Sequence, residues 1–183
     1  AISSRAAGKA VVKPSPPVHA SREVCPRCRL ATTICWCEHL PALESRARLV
    51  FLQHPREARK AVGTARMAHL GIPGSQLHVG MEFDSARVLG PSVPGRRAVV
   101  LYPTAESEDV SALREVTDDL TIVVLDGTWF QARQLWLKNP WLHALPAYRI
   151  EPTSPGQYKI RREPAPHCLS TIEAVAVLLD ALQ

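Results

Sequence analysis

Four cysteines near the start of the chain have the spacing of a metal site. They form the pattern C-x2-C-x6-C-x-C at Cys25, Cys28, Cys35 and Cys37. Four thiolates this close in sequence can close tetrahedrally on zinc, and such a closed site leaves no position for a catalytic water. Two disulfides in a secreted protein, or redox-active cysteines, are the alternatives. We expect a structural zinc ion that folds an N-terminal lobe.

An aspartate stands directly after an apolar run in the segment IVVLDGTW, residues 122–129. A carboxylate at the end of an apolar strand costs free energy unless it is paired, caps a turn or takes part in chemistry. Asp126 is therefore the candidate catalytic residue, with capping of the turn before the next helix as the structural alternative. Gly127 would permit a backbone conformation and a close approach that a Cβ would forbid.

Alternating strands and helices supply the scaffold that must position these residues. Short apolar runs predict strands at residues 49–53, 76–81, 97–103, 121–126 and 147–150, and helical patterns occupy residues 56–70 and 107–116. Near-continuous apolar strands between helices indicate an α/β fold with a mostly parallel sheet flanked by helices. Ligands bind beyond the carboxyl ends of such strands. Because His54, Pro103 and Asp126 end or follow predicted strands, we expect the site at that edge.

Two further helices are predicted to begin with capping boxes. Thr128 has Gln131 three residues on, and Ser170 has Glu173 three residues on. In the last helix, apolar spacing of i, i+3, i+4 and i+7 predicts one buried face, made of Ile172, Val175, Ala176 and Leu179. The N-terminal amides and the positive dipole end of this helix would favour an anion.

Four segments taken together, in order, resemble the DTW-domain family: CPRCRLATTICWC, LQHPREARKAVGTARM, DGTW and YKIRREPAPHCLSTIEAVA. The resemblance covers roughly residues 22 to 182. It implies a tRNA-uridine aminocarboxypropyltransferase, which moves the 3-amino-3-carboxypropyl group of S-adenosylmethionine to N3 of a uridine and leaves methylthioadenosine. It also implies a SPOUT-like fold with a knotted C-terminal region. Gly63 and Thr64 stand where the family commonly has an Asn-Thr pair, so only Thr64 matches there.

The implied reaction gives Asp126 two alternative roles. It accepts the N3 proton of the uridine, or it binds the ammonium of the transferred group. The residues expected around S-adenosylmethionine are Leu101, Tyr102, Pro103, Gly127, Thr128, Trp129, Ser170, Thr171 and Glu173. Several of these contacts have a structural alternative, namely strand packing for residues 101–103, core packing for Trp129 and helix capping for Glu173.

The charge is unevenly distributed along the chain. Residues 1 to 70 carry 12 Lys+Arg against 4 Asp+Glu, whereas residues 71 to 128 carry 4 against 9. Basic segments suit a polyanion such as tRNA, although an ordinary solvated surface has the same composition. Trp36 either stacks on a base or packs over the metal site, and His54 contacts RNA or is structural. The residues expected to contact RNA are Arg27, Arg29, His54, Arg133, Arg149, Lys159, Arg161 and Arg162.

The pattern predicts a flexible basic arm at residues 1–21 and one domain at residues 22–183, made of a zinc knuckle (22–45) and an α/β transferase core (46–183). Neither a membrane span nor a signal-type apolar run is recognised, so we expect a soluble, cytoplasmic protein. Related knotted enzymes often dimerise, which allows a homodimer here. The alternative functions are an S-adenosylmethionine-dependent RNA methyltransferase and a non-catalytic zinc-knuckle RNA-binding protein.

Overall fold

Six strands form one parallel sheet at the centre of the computed structural model, which describes residues 23–92, 94–116, 119–151 and 169–183. The strands are β1 (Arg48–Gln53), β2 (Gln76–Val79), β3 (Arg96–Leu101), β4 (Glu108–Asp109), β5 (Asp119–Asp126) and β6 (Ala147–Arg149). Their order across the sheet is β2-β1-β5-β3-β6-β4, and every pair of neighbours runs parallel. The prediction of an α/β fold with a parallel sheet is confirmed.

Helices cover both faces of this sheet. The helices are α1 (Pro55–Ala58), α2 (Thr64–Gly71), α3 (Ser85–Leu89), α4 (Trp129–Lys138) and α5 (Thr171–Ala181). Helices α2 and α5 pack on one face together with a 3₁₀ segment at Val110–Glu115, and α3 and α4 pack on the other. None of the described helices has the length and apolar character needed to cross a membrane.

Strand side chains alternate between the two faces, as the pleat requires. In β1, Leu49 and Phe51 join the core under α2 and α5, whereas Val50 and Leu52 join the core under α3 and α4. All four are fully buried. Burial on both faces explains why these strands read as unbroken apolar runs.

The predicted helix at residues 56–70 is wrong, because the chain forms two short helices there. In a continuous helix the carbonyl of Ala58 would accept from the amide four residues on. Here it accepts instead from Nη2 of Arg66, at 3.0 Å. Gly63, a poor helix former, is extended and becomes the N-cap of α2.

Three smaller predictions also need correction. Residues 107–116 form a two-residue strand and a 3₁₀ segment, because Asp109 pairs with β6 and its side chain accepts from the amide of Ser111. Helix α3, capped by Asp84, was not predicted. On α5, Ala176 is exposed and Leu178 is buried, so the inward face is rotated from the predicted one.

Two predicted regions lie outside the described residues. The basic arm at residues 1–21 is one, and the segment at residues 152–168 is the other. The C-terminal knot that the resemblance implies stays a prediction.

Candidate active site

Asp126 is the last residue of β5 and lies at the carboxyl edge of the sheet, buried with 4% of its surface exposed. Its Oδ2 accepts a hydrogen bond from Nε2 of Gln53, the residue in register with it on β1, at 2.7 Å. Its Oδ1 accepts from the hydroxyl of Thr171, the first residue of α5, at 2.6 Å. One carboxylate thus joins two adjacent strands to the C-terminal helix.

Gln53 is a residue of this site that the sequence reasoning missed. Its side chain is fully buried. Nε2 donates to Asp126, yet Oε1 is buried and has no hydrogen-bond partner, alone among the side-chain oxygens and nitrogens of the described part of the chain. Buried polar atoms are nearly always paired, so this acceptor is suited to a donor from a ligand or to an ordered water. The available signal was a polar residue closing an otherwise apolar strand.

Arg66 is the second residue that was missed. It is a buried arginine, 5% exposed, on α2. Nη1 donates to the carbonyl of Cys28 at 3.4 Å and Nη2 to that of Ala58. Burial lowers the pKa of this guanidinium and the charge of Arg29 lowers it further, whereas Asp126 and Cys28 raise it. A fixed positive charge therefore lies within electrostatic range of Asp126.

The turn between β5 and α4 is only two residues long and very tightly packed. A Cβ on Gly127 would lie 2.7 Å from Cβ of Gln131, closer than packed atoms approach. The predicted close approach is therefore found, whereas the predicted special backbone conformation is wrong, since φ of Gly127 is not in the left-handed region. Thr128 and Gln131 form the predicted capping box, in which the amide of Thr128 donates to Oε1 of Gln131 at 2.7 Å. The start of α4 is thereby fixed relative to Asp126.

Helix α5 also begins with the predicted capping box. Oε2 of Glu173 accepts from the amide of Ser170 at 2.9 Å and from its hydroxyl at 2.7 Å. Asp126 reaches the same helix end through Thr171. Two carboxylates thus lie at the positive end of the α5 dipole, where negative charge is stabilised.

A cleft of about 700 Å³ is lined by Thr104, Glu106, Glu108, Trp136 and His143 among others, and residues 101–103 do not line it. Tyr102 is half-buried and stacks on Trp136 with a ring separation of 4.7 Å. Burial raises the pKa of its phenol, and the charge of Arg133 opposes that rise. Leu101 is half-buried against the core and Pro103 is exposed.

The four cysteines converge as the sequence predicted, and their sulfurs all lie within 4.8 Å of one another. The sulfurs of Cys25 and Cys37 are 3.8 Å apart, and those of Cys28 and Cys35 are 3.7 Å apart. A tetrahedron with zinc–sulfur bonds of about 2.3 Å has sulfurs about 3.8 Å apart. The residues present therefore fit a zinc ion.

The thiols differ in acidity because their surroundings differ. Backbone N–H groups of Cys28 and Arg27 lower the pKa of Cys25 to about 6. Desolvation and the neighbouring thiols raise the pKa of Cys37 to about 12. Four thiolates repel one another, so a divalent cation is what would hold all four ionised together.

The cysteine cluster packs directly on the sheet domain. Its apolar residues, with Trp36 half-buried among them, contact Val62 and Leu70 near and on α2. Arg29 turns the loop with a left-handed φ of 64°, alone among the non-glycine residues that the structure describes. Together with the bond from Arg66 to Cys28, this packing links the metal-binding cluster to the Asp126 site.

Residues 22–183 match the family model described as the DTW domain. The chain belongs to the DTW-domain family. The DTW chain is 32% identical over 171 residues to a Drosophila melanogaster protein named tRNA-uridine aminocarboxypropyltransferase 2. The aligned region covers 88% of this chain and 67% of the relative. The DTW chain is 31% identical over 170 residues to the Macaca fascicularis protein of the same name, with 88% of this chain and 57% of that relative covered.

A more distant plant relative matches over a similar range. It is the Arabidopsis thaliana protein named tRNA-uridine aminocarboxypropyltransferase A, 25% identical over 201 residues, with 90% of the DTW chain and 74% of the relative covered. No solved structure matches the DTW chain.

The predicted RNA-contacting residues of this DTW chain have different surroundings. Arg27, Arg29 and Arg133 are exposed. Arg149 forms an ion pair with Glu151 at 2.6 Å and also donates to the carbonyl of Ser107, so its charge is already partly neutralised. Lys159, Arg161 and Arg162 lie outside the described residues.

His54 is almost fully buried and caps a helix, which favours its structural alternative over an RNA contact. It is 6% exposed, its Nδ1 accepts from the amide of Arg56 at 3.1 Å, and it is the N-cap of α1. Its own amide donates to the carbonyl of Asp126 at 3.0 Å. Burial leaves this ring little surface for an RNA contact.

Proposed function

We propose that this DTW-domain chain transfers the 3-amino-3-carboxypropyl group of S-adenosylmethionine to N3 of a uridine in tRNA. The observation that carries the proposal is the match to relatives named for this activity over 88% of the chain. A cytoplasmic location goes with this substrate. The division into a basic arm (1–21), a zinc knuckle (22–45) and a transferase core (46–183) is part of the proposal, and the family match beginning at residue 22 supports it.

The reaction forms one carbon–nitrogen bond and breaks one carbon–sulfur bond. N3 of the uridine attacks the aminocarboxypropyl carbon that is bonded to the sulfonium. The electron pair of that carbon–sulfur bond goes to sulfur, which leaves as neutral methylthioadenosine. The N3 proton must be released to a base or to solvent as the new bond forms.

Asp126 is the proposed residue at the reacting end of S-adenosylmethionine. Among the described residues, its hydrogen bonds come from neutral donors, Gln53 and Thr171, and hydrogen bonds to a carboxylate favour its ionised form. An ionised Asp126 suits binding of the substrate ammonium, and the unpartnered Oε1 of Gln53 offers that ammonium a second acceptor. Acceptance of the N3 proton is the alternative role.

The remaining proposed contacts surround this point. Residues 101–103 are proposed to receive the adenosine, with Tyr102 held by its stack on Trp136, which lines the cleft. Gly127, Thr128 and Trp129 border the donor from the start of α4, and Ser170, Thr171 and Glu173 border it from the start of α5. The carboxylate of Glu173 caps the start of α5. Its proposed role is therefore to lie beside the donor and not to bind it through its charge.

The zinc knuckle packs against α2 and accepts a hydrogen bond from Arg66, and so contacts the elements around this site. Cys25, Cys28, Cys35 and Cys37 would hold a zinc ion whose contribution is folding free energy and not catalysis. The exposed Arg27 and Arg29 on its surface are proposed to contact tRNA phosphates.

One experiment tests the proposal. The protein is incubated with unmodified tRNA and S-adenosylmethionine, and the nucleosides and the by-product are identified by mass. Aminocarboxypropyluridine with methylthioadenosine is the expected result. S-adenosylhomocysteine with a methylated nucleoside would show a methyltransferase instead, and tRNA binding without S-adenosylmethionine binding would show a non-catalytic RNA-binding protein.

A further inference from the structure

Two neighbouring aromatic side chains on α4 are exposed to solvent. Trp129 is 53% exposed and Phe130 is 68% exposed. Every other phenylalanine, tryptophan and tyrosine that the structure describes is half-buried or buried. The exposure of two such side chains side by side marks a contact surface, since apolar surface is otherwise removed from water.

The position of this pair is set by the site itself. Phe130 lies four residues after Asp126, in the first turn of α4. The capping box and the close packing of Gly127 on Gln131 fix that turn on the end of β5. Any partner of Phe130 is therefore held at a defined place beside the reacting group.

The charge next to Phe130 is positive and uncompensated. Arg133 follows one helical turn later, is exposed, and forms no ion pair with any residue that the structure describes. Lys138, further along α4, differs in that it pairs with Glu82 at 3.2 Å. An exposed aromatic ring with a free guanidinium one turn away is the combination that binds an unpaired nucleotide, with the ring on the base and the cation on the phosphate.

We infer that Phe130 is a stacking platform for an unpaired RNA base beside the target uridine, and that Arg133 binds the adjoining phosphate. The inference rests on the proposed function, because it takes tRNA as the partner. A second copy of the chain fits this face less well. A two-fold interface would bring two uncompensated Arg133 side chains into one contact.

The test compares two exposed positions on one helix. Phe130→Ala and the control Leu137→Ala, at a side chain 57% exposed two turns further on, are assayed with a single-stranded oligouridylate and with unmodified tRNA. Phe130→Ala should weaken binding of both RNAs roughly 5- to 150-fold, the range for losing one stacked base. Leu137→Ala should bind as the wild type does, and Phe130→Tyr should restore most of the affinity.

A second experiment tests the phosphate contact of Arg133. Arg133→Gln should lower the slope of log affinity against log salt by about one, and Phe130→Ala should leave that slope unchanged. Unchanged RNA binding by Phe130→Ala would overturn the inference. A wild-type dimer that Phe130→Ala and Leu137→Ala both convert to a monomer would also overturn it, by making this face a self-association surface. If the wild type forms no modified uridine, the proposed function fails, whereas active enzyme with unaffected Phe130→Ala contradicts this inference alone.

Discussion

Replacing Asp126 by asparagine removes a buried charge without changing the shape of the side chain. The new Oδ1 can accept from Thr171, but the new Nδ2 would face Nε2 of Gln53, donor against donor. Rotating the Gln53 amide by half a turn brings its unpartnered Oε1 to that Nδ2 and restores the bond, while Nε2 takes the place where Oε1 had no partner. The variant thus keeps a hydrogen bond to Gln53 and one to Thr171, and the charge assistance of these two bonds is lost.

The stability change follows from this exchange. Two charge-assisted bonds of about 1.5–3 kcal/mol each become neutral bonds of about 0.5–1.5 kcal/mol, and the burial penalty of one charge is removed. The free energy of unfolding should therefore fall by at most about 3 kcal/mol. Asp126→Ala leaves both donors unpaired and should cost more, about 2–6 kcal/mol. Urea unfolding of the two variants measures the difference.

Activity should respond much more strongly than stability. Turnover of Asp126→Asn should fall on the order of 10²-fold or more, measured as methylthioadenosine released with tRNA in a single turnover. Calorimetry with S-adenosylmethionine then separates the two roles. Loss of an ammonium contact should weaken binding about 10- to 150-fold, whereas loss of a proton acceptor should leave binding unchanged. Full activity in a protein of lower melting temperature would refute the reasoning and leave Asp126 as a structural link.

Three further predictions concern the knuckle and the pH dependence of stability. The purified protein should contain one zinc per chain by elemental analysis, and Cys35→Ser should lower its melting temperature; a metal-free protein that melts at the same temperature contradicts this. Arg29→Asn should relieve the left-handed φ by up to about 1 kcal/mol while weakening tRNA binding, and unaltered tRNA affinity would remove Arg29 from the RNA surface. Burial lowers the pKa of His69 and of His78 in the folded state, so the unfolded chain takes up protons first as the pH falls. Their stability contribution should be complete above about pH 6.5 and decline below it, by up to about 1.4 kcal/mol per pH unit for each histidine. Urea unfolding between pH 7.5 and 5 should show this slope, and His69→Gln should reduce it.

Features that depend on local sequence were predicted well. The central strands lie close to their predicted bounds, because a strand buried on both faces must be apolar throughout. Both capping boxes were found, since Thr128 with Gln131 and Ser170 with Glu173 are only three residues apart. The cysteine cluster was recognised because its ligand spacing is short and its chemistry specific.

Features that depend on contacts between distant parts of the chain were not predicted. The place of Gln53 in the site depends on its hydrogen bond to Asp126, which is 73 residues away. That of Arg66 depends on its hydrogen bond to the carbonyl of Cys28, which is 38 residues away. The break between α1 and α2 has the same origin, because the Arg66 side chain takes a carbonyl that helical periodicity assigns to the helix. Periodicity alone contains no information on which buried side chain will compete for a backbone group.

The hydrogen bonds to Asp126 span 73 residues on one side and 45 on the other. Contacts between such distant parts of a chain form only after the entropy of closing both loops has been overcome, and they depend on the central strands and α5 having docked. A fluorescent S-adenosylmethionine analogue whose binding requires Asp126 would therefore report on the docking of these distant segments. Comparing the rate of that signal with the rate of the far-ultraviolet circular dichroism signal during refolding would show whether the site forms together with the helices and strands or after them.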